Sequence, residues 1–419
     1  MKERPEVRLS LSEHERLEQL QEVQKGRKTQ RAAAAVLGLS ERWTRELQRR
    51  VRAHGEAGLI HRNRGRRSNR RLADPRRDEI LSLYREKYEE FNLTHFREML
   101  QDREKVEAPC RETLRRVLLE AGLWTRRRRA PKHRLRRPRR EREGELLQMD
   151  ASIHRWFGED LPLVALLGAV DDATGDVPFA KFCDAETSEG YFDVVAGILR
   201  TRGVPQAFYT DRDSVFLVND PKERERQGAQ GKPPLTQVGR AFQELGIQRI
   251  TAYSPQAKGR IERLWKTFQD RLLHELRLNG ITTIAAANTY LHRSFLPRYN
   301  RRFRRPPADP EAAYRPSPPQ GRVEAILCFK HSRVLSRDHV FPFEGQTWQV
   351  LRCKEILALT GKTIEVRKTT RGAVQAWHGA HRLTLRLLPP PPLASLRRAV
   401  GARAPLAAAA GTVRGKVWM

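Results

Sequence analysis

Three carboxylate residues in the middle of the chain have sequence neighbours that are typical of a metal-binding site. Asp150 and Asp211 each follow a short, largely apolar run, and Glu262 stands at the start of a predicted helix. A carboxylate at the end of a buried strand projects from a rigid sheet edge, and three converging carboxylates bind hard divalent cations through oxygen. Two such ions, roughly 4 Å apart, stabilise the attacking and leaving oxygens of a phosphodiester displacement. In a chain of formal charge +31, the trio predicts metal-dependent chemistry on nucleic acid.

Three blocks of sequence contain these residues. The blocks are Gln148–Asp150, Tyr209–Phe216 and Tyr253–Arg263. They resemble the three catalytic blocks of the DDE transposase and retroviral integrase superfamily, and are most similar to those of bacterial insertion-sequence transposases of the ISNCY type. The resemblance implies hydrolysis at the element ends by metal-activated water, followed by attack of the freed 3′-hydroxyl on target DNA. Neither step needs a covalent protein intermediate.

The resemblance also implies which residues are catalytic. Asp150, Asp211 and Glu262 are the implied ligands of two Mg²⁺ or Mn²⁺ ions, with Asp150 shared by both. Glu262 has an ordinary alternative, because Glu is also common in the first turn of a helix. Asp213 and Asp171 are rival carboxylates: the first stands where many relatives carry Gly or Asn, and the second belongs to a predicted turn.

The charge balance points to a polyanionic partner. The chain has 81 Lys and Arg against 50 Asp and Glu, so its surface repels itself unless such a partner is near. Double-stranded DNA fits this role better than a membrane surface, because no apolar segment is long enough to span a bilayer and no lipidation motif is present. The first residues lack the apolar segment of a secretory signal, which favours a cytoplasmic, nucleoid-associated bacterial protein.

The cysteines do not follow the spacing of a metal site or a disulfide framework. Cys110, Cys183, Cys328 and Cys353 are scattered, without CxxC spacing or a nearby pair of His ligands. We interpret all four as small apolar residues in a reducing compartment.

The N-terminal domain, residues 1–60, has the pattern of a helix-turn-helix. Helices are predicted over Leu11–Gln24, Thr29–Leu37 and Glu41–His54, and Gly38–Ser40 supplies a turn and a cap between the last two. The alternative is a small helical bundle with a solvated basic face. The third-helix residues suited to base edges and phosphates are Arg42, Arg45, Gln48 and Arg49.

A second helical unit follows the first. Residues 61–73 form a basic linker, residues 74–125 a second helix-turn-helix or winged DNA-binding domain, and residues 126–143 another basic linker. Arg111 and Arg115 line the last helix of this domain and are expected to contact DNA. The linkers are expected to bind phosphates without reading sequence.

The periodicity then changes to that of a mixed α/β domain over residues 144–300. Apolar runs at Leu163–Val170 and Val177–Phe182 flank a turn, which predicts neighbouring antiparallel strands. A long helix is predicted from Arg260 onward. Periodicity alone gives only mixed α/β, whereas the resemblance implies a ribonuclease-H-like catalytic core. The polar segment Asn219–Gln237 is an insertion that is expected to form a surface loop.

Basic residues surround Glu262 in the third block. They either bind donor or target phosphate or form a solvated helix face, and the sequence does not decide between the two. The residues are Lys258, Arg260, Arg263 and Lys266.

The C-terminal part has shorter elements. Residues 301–322 form a proline-rich connector, residues 323–388 contain strand candidates and turn glycines that predict a small β-barrel, and residues 389–419 are expected to be disordered. The predicted fold is therefore multidomain, with N-terminal all-α helix-turn-helix units, a central α/β ribonuclease-H-like core and a C-terminal small β-barrel.

Three classes of function remain. An insertion-sequence transposase accounts for the reading units, the acidic trio and the basic segments together, and it is expected to act as a homo-oligomer because two element ends must meet in one complex. A helix-turn-helix regulator, or an inactive transposase copy, leaves the catalytic blocks unused. A structure-selective nuclease uses the carboxylates but does not need two sequence-reading units.

Overall fold

The computed structural model describes most of the chain. It covers residues 9–61, 63–64, 72–125, 137–218, 221, 224–225, 228, 234–251, 258–351 and 356–389. Several predicted features lie wholly or largely outside these residues: most of the first basic linker, residues 126–136 of the second, most of the 219–237 insertion, residues 252–257 of the third block, and the tail from residue 390. By internal contacts the chain divides into two units, Met1–Tyr84 and Arg85–Met419.

The described part of the first unit is helical. Its elements are α1 (Leu11–Gln24), α2 (Gln30–Leu37), α3 (Glu41–His54), a 3₁₀ turn (Gly55–Leu59) and α4 (Asp74–Leu83). The first three match the predicted helices to within one residue. Their buried core is formed by Leu17, Leu20, Leu47 and Leu59.

Local chemistry sets the boundary between α2 and α3. Thr29 Oγ1 accepts a hydrogen bond from the Ala32 amide, and Ser40 Oγ accepts one from the Trp43 amide, so each helix has a side-chain N-cap. Gly38 ends α2 with a φ of 63°, a left-handed conformation that glycine adopts without a Cβ clash. The predicted helix-turn-helix is therefore confirmed.

A five-stranded sheet forms the centre of the second unit. Its strands are β1 (Leu147–His154), β2 (Val164–Asp171), β3 (Phe179–Cys183), β4 (Ala207–Thr210) and β5 (Gln248–Thr251). The order is β3-β2-β1-β4-β5, in which β1, β2 and β3 are antiparallel neighbours and β4 and β5 run parallel to β1. This mixed sheet fits the ribonuclease-H-like core that the resemblance implies.

Helices cover both faces of this sheet. Among the described residues, the α-helices of the second unit are α5 (Leu93–Asp102), α6 (Arg111–Glu120), α7 (Ser188–Thr201), α8 (Gln237–Glu244), α9 (Gly259–Leu278), α10 (Ile284–Tyr290), α11 (Leu296–Phe303) and α12 (Gln320–Ile326). Leu147 and Met149 of β1 pack with α7 and α8 on one face, and Leu166 and Phe182 pack with α9 on the other. Burial on both faces explains the nearly continuous apolar run of β2.

A ladder of hydrogen bonds aligns β1 with α9. Three alternate residues of the strand accept from three residues spaced one turn apart on the helix. Two residues of strand advance about 6.7 Å and four residues of helix about 6 Å, so the two repeats stay nearly in step. The pairs are Gln148 Oε1 with the Ile261 amide at 3.2 Å, Asp150 Oδ2 with Trp265 Nε1 at 3.3 Å, and Ser152 Oγ with Gln269 Nε2 at 3.1 Å.

Buried ion pairs fix α5 against the later turns of α9. The Arg271 guanidinium donates to both carboxylate oxygens of Glu98, at 2.5 and 3.0 Å, and both side chains are buried. Arg302 also lies 2.9 Å from Glu98. His95, which is fully buried, lies 2.9 Å from Glu275. The helix α5, predicted to belong to a separate DNA-binding domain, is thus attached to the helix that packs on the central sheet.

The C-terminal part forms two open antiparallel sheets. The first has the order β11-β10-β9-β6 and the second β12-β8-β7. The predicted strands are present, but the described residues do not close the ring that a barrel requires, so the barrel is not confirmed. The strands are β6 (Cys328–Val334), β7 (Val340–Phe343), β8 (Gln346–Val350), β9 (Thr363–Thr369), β10 (Val374–His378), β11 (His381–Leu383) and β12 (Leu385–Leu387).

The described residues also bear on membrane and cysteine chemistry. None of the helices seen in the structure combines the length and apolarity needed to cross a bilayer.

Cys110, Cys183 and Cys328 are free thiols. Cys353 lies outside the described residues.

We expect Glu98→Gln to lower the free energy of unfolding by about 3 kcal/mol, because it leaves the buried Arg271 without its bidentate partner. Glu90→Gln is the matched control. Glu90 also pairs with α9, through Arg277 at 2.5 Å, but its side chain is 62% exposed, so its loss costs less than about 1 kcal/mol. Urea unfolding of both variants measures the difference, and equal midpoints would contradict the assignment.

We expect Gly168→Ala to destabilise the protein by about 1–3 kcal/mol through overpacking. Gly168 pairs with Asp150 across β1 and β2, and a Cβ there would lie 2.8 Å from Ala180 Cβ and 3.2 Å from the Trp265 ring. Gly321→Ala is the control, since its Cβ would meet nothing within 4 Å. Thermal unfolding compares the two, and an unchanged midpoint for Gly168→Ala would argue against the tight contact.

Candidate active site

Asp150 lies in the middle of β1 and faces α9. Its Oδ2 accepts from Trp265 Nε1 at 3.3 Å, and its Oδ1 accepts from Lys258 Nζ at 2.8 Å. The side chain is 20% exposed. Both oxygens are therefore directed by the start of α9 and the residue that precedes it.

Asp211 directly follows β4, the parallel neighbour of β1. Its Oδ2 accepts from Lys258 Nζ at 3.2 Å, and its Oδ1 accepts from the Asp213 amide at 3.1 Å. Its side chain is more exposed than that of Asp150, at 39%. Because β1 and β4 are adjacent, the two carboxylates converge on one ammonium group.

The burial of this cluster shifts its acid–base equilibria. Burial raises the pKa of Asp150, while the charge and hydrogen bond of Lys258 act in the opposite direction. Burial alone lowers the pKa of Lys258, but the charges and hydrogen bonds of Asp150 and Asp211 outweigh it, so the Lys258 pKa lies above its ordinary value. Lys258 is thus a cation at neutral pH, held between two carboxylates.

Glu262 lies in the first turn of α9, where it is half-buried. It follows Ile261, whose amide bonds to Gln148, so its backbone position is fixed relative to β1. Within the described residues, however, no three acidic, His or Cys side chains gather closely enough to hold a metal ion. The structure therefore brings Asp150 and Asp211 together, and among the described residues Glu262 does not complete a metal-binding group of three with them.

The donor set fits a hard divalent cation. Asp150 and Asp211 each direct one carboxylate oxygen at a single point, and the Lys258 ammonium at that point stands in for a cation. Oxygen ligands of this kind are what Mg²⁺ and Mn²⁺ prefer. Two of the three predicted carboxylates, Asp150 and Asp211, therefore lie together and offer oxygen atoms of this type.

Both rival carboxylates take part in turns. Asp213 Oδ1 accepts from the Val215 amide at 3.0 Å. Asp171 is buried and accepts from the Gly144 amide, the Thr174 amide and the Thr174 hydroxyl, each at 2.8 Å. Burial raises the Asp171 pKa, and these hydrogen bonds oppose the rise. Each side chain therefore has a structural use that needs no ligand.

A further carboxylate near the site was missed by sequence reasoning. Glu186, in the loop before α7, is half-buried and accepts from the Tyr191 hydroxyl at 2.5 Å. Burial raises the Glu186 pKa, and the charges of Asp213, Asp150 and Asp211 raise it further. It adds negative potential to the same region. Glu186 belongs to none of the three blocks, so the motifs gave no signal for it.

The basic residues around Glu262 differ in their surroundings. Lys258 is buried between the carboxylates, and the Arg260 guanidinium lies 3.1 Å from the buried Asp172. Arg263 and Lys266 are exposed. Of the four predicted phosphate contacts, these last two are therefore the ones on the surface.

The predicted reading residues of α3 are also of two kinds. Arg42, Arg45 and Arg49 are exposed, and Arg49 pairs with Glu46 at 2.7 Å. Gln48 is instead buried, where it accepts a hydrogen bond from Gln30 at 2.8 Å and joins α2 to α3.

On α6, the two predicted DNA contacts also differ. Arg111 is exposed. Arg115 is partly buried and pairs with Glu112 through Nε at 2.9 Å. Arg111 is thus the more accessible of the two.

A family model described as winged helix-turn helix matches residues 16–78. This range includes α2, α3 and the capped turn between them. The match agrees with the helix-turn-helix found in the first unit.

Solved retroviral integrase structures show a weak likeness. A simian T-cell lymphotropic virus intasome in complex with a PP2A regulatory subunit is 18% identical, covers 63% of this chain and 86% of its own, and has a TM-score of 0.28. The HTLV-2 integrase catalytic core domain in complex with magnesium is 17% identical, covers 36% and 89%, and has a TM-score of 0.23. At such TM-scores neither carries an argument about this chain.

Curated relatives are much more similar. "Putative transposase y4bF" of Sinorhizobium fredii is 37% identical, and the match covers 91% of this chain and 82% of the relative. "Transposase for insertion sequence IS1202" of Streptococcus pneumoniae is 30% identical, with 85% and 81% covered. Relatives this similar, matched over most of their length, show the family: the chain belongs to the bacterial insertion-sequence transposases.

Proposed function

We propose that this transposase binds the terminal repeats of its element as double-stranded DNA, cuts the DNA at the element ends and joins the freed 3′-hydroxyl to target DNA. The observation that carries the proposal is the convergence of Asp150 and Asp211 on a single cation position beside β1 and β4. A regulator has no use for two carboxylates held in this way. Family membership supports the same reaction class.

We assign the metal ligands to Asp150 and Asp211, which lie together, and to Glu262, which the resemblance of the three blocks implies as the third ligand. Divalent ions bound there, Mg²⁺ or Mn²⁺, would supply Lewis-acid stabilisation of the attacking and leaving oxygens of the phosphodiester displacement. Trp265 orients Asp150 through its ring N–H, and the turn amide of Asp213 orients Asp211. These two donors hold the carboxylates in a fixed geometry before a cation arrives.

The basic surfaces divide the work of DNA binding. In this proposal, Arg42, Arg45 and Arg49 on α3 contact the terminal repeat, and Arg263 and Lys266 hold phosphate beside the carboxylates. Two ends must be processed in one complex, so the protein acts as a homo-oligomer on DNA. We place it in the bacterial cytoplasm, at the nucleoid.

The domain roles follow the same division. We assign residues 1–60 and 74–125 to DNA reading, residues 144–300 to catalysis and residues 323–388 to a small β-domain. The basic linkers at 61–73 and 126–143 are assigned to phosphate attachment. The described end of the second linker is anchored beside β2, where Arg139 donates to the carbonyls of Asp172 and Ala173.

We expect Asp150→Asn, Asp211→Asn and Glu262→Gln each to reduce strand transfer by at least about a hundredfold, since each removes a charge from the proposed metal site. The assay uses purified protein, element-end DNA and Mg²⁺ or Mn²⁺. The joined product is measured on a denaturing gel.

Asp213→Asn is the matched control for these variants. Asparagine Oδ1 still accepts the turn hydrogen bond, so strand transfer is expected to stay within about threefold of wild type. End binding without cleavage or joining by the wild-type protein would instead support a regulator or an inactive copy. If Asp213→Asn lost strand transfer while Asp211→Asn kept it, Asp213 and not Asp211 would be the metal ligand.

We expect Arg45→Ala to weaken binding of element-end DNA by about 1–3 kcal/mol and to relax discrimination against scrambled DNA, because Arg45 is exposed on the proposed reading helix. Arg27→Ala is the control: Arg27 lies outside α3 and pairs with Glu22 at 3.5 Å. Fluorescence anisotropy at fixed salt gives both affinities. If both variants lost the same affinity for element-end DNA, α3 would not be the helix that recognises the terminal sequence.

A further inference from the structure

Lys258 occupies the position between the two carboxylates that a shared cation would need. Its Nζ lies 2.8 Å from Asp150 Oδ1 and 3.2 Å from Asp211 Oδ2, and the residue is only 9% exposed. It immediately precedes α9, whose first turns are held to β1 by the hydrogen-bond ladder. The ammonium is therefore part of the buried structure of the site.

A divalent ion and this ammonium cannot occupy the site together. An ion coordinated by both oxygens, at about 2.1 Å from each, would use the same two oxygen atoms that the ammonium now contacts at 2.8 and 3.2 Å. The two cations would also repel each other strongly, because they would lie close together at a buried site where water screens charge poorly. Occupation by one therefore requires the other to leave.

We propose that Lys258 is a tethered competitor of the divalent metal: it neutralises Asp150 and Asp211 in the metal-free protein and raises the metal concentration that the site needs. The inference rests on the proposed function, because it takes Asp150 and Asp211 as metal ligands. It adds a role for a residue outside the acidic trio. It also explains why two adjacent carboxylates stay together in the absence of metal.

Three nearby basic residues of the third block differ from Lys258 in their surroundings. Arg260, two residues further on, is directed to Asp172. Arg263 and Lys266 are exposed to solvent. Lys258 is the cation that contacts both carboxylates in the described residues, so a substitution there tests the competition directly.

The test is Mn²⁺ binding to the full chain, measured as the loss of the free-ion electron paramagnetic resonance signal. We expect Lys258→Gln to bind Mn²⁺ at least about tenfold more tightly than wild type, because it removes the competing charge. Lys258→Arg keeps the charge and is expected to bind no more tightly than wild type. Lys362→Gln changes an exposed lysine directly before β9; it controls for net charge and is expected to stay within about twofold.

A thermal measurement covers the case in which Lys258→Gln folds poorly without metal. Mn²⁺ is expected to raise the unfolding temperature of Lys258→Gln by more than that of wild type, since the ion replaces the lost ammonium. Equal or weaker Mn²⁺ binding by Lys258→Gln, or equal tightening by Lys258→Arg, overturns the competition.

Asp150→Asn separates this inference from the proposed function. If Mn²⁺ binding to wild type depends on Asp150 and Lys258→Gln does not tighten it, only the competition fails. Asp150→Asn is made in wild type and in Lys258→Gln. If it lowers Mn²⁺ binding in neither protein, the metal site is wrong, and the competition is wrong with it.

Discussion

The alignment of β1 with α9 is the constraint on which the candidate site depends. Gln148, Asp150 and Ser152 face the helix because side chains alternate along a strand, and the helix presents a donor to each at every turn. A slip of β1 by one residue would turn Asp150 into the apolar layer beneath α7 and α8 and would place Met149 against Trp265. The same alignment fixes where α9 begins, and hence the positions of Lys258 and Glu262.

The far half of α9 is held by a different set of forces. Arg271 and Glu275 are buried there, and both are balanced by charged or polar partners from α5 and α11: Glu98, His95 and Arg298. Burial raises the Glu275 pKa, but His95 and Arg298 outweigh it, so the pKa falls below its ordinary value and the carboxylate stays charged. A buried ion pair contains a basic and an acidic group, so it leaves the net charge of the chain, +31, unchanged. The excess basic charge that lies at the surface can be reached by a polyanion.

Local signals explain what the sequence predicted well. The helix-turn-helix depends on Thr29, Gly38 and Ser40, which act on neighbours a few residues away, and the central strands follow from continuous burial on two faces. Nonlocal contacts explain the rest. Gln48 has the spacing of a reading residue, yet Gln30 on another helix draws it inward. Arg260 and Lys258 look alike in a basic stretch, but only the fold shows that one meets Asp172 and the other meets Asp150. The short strands β7, β11 and β12 lack a periodic pattern long enough to predict, and closure of a barrel depends on pairing between strands far apart in sequence.

Asp150 and Asp211 place two negative charges close together beside β1 and β4. Asp150 is buried enough for its pKa to rise, and a second carboxylate beside it would drive it toward protonation or drive the two apart. Trp265 and Lys258 oppose both outcomes, one by donating a neutral hydrogen bond and the other by supplying a charge. The neutral donor does not compete with a metal ion, because it uses the oxygen opposite to the one that Lys258 contacts. The two oxygens of Asp150 therefore have different roles. Oδ2 fixes the side chain against α9, and Oδ1 is the oxygen at which, in the proposed competition, one cation replaces another.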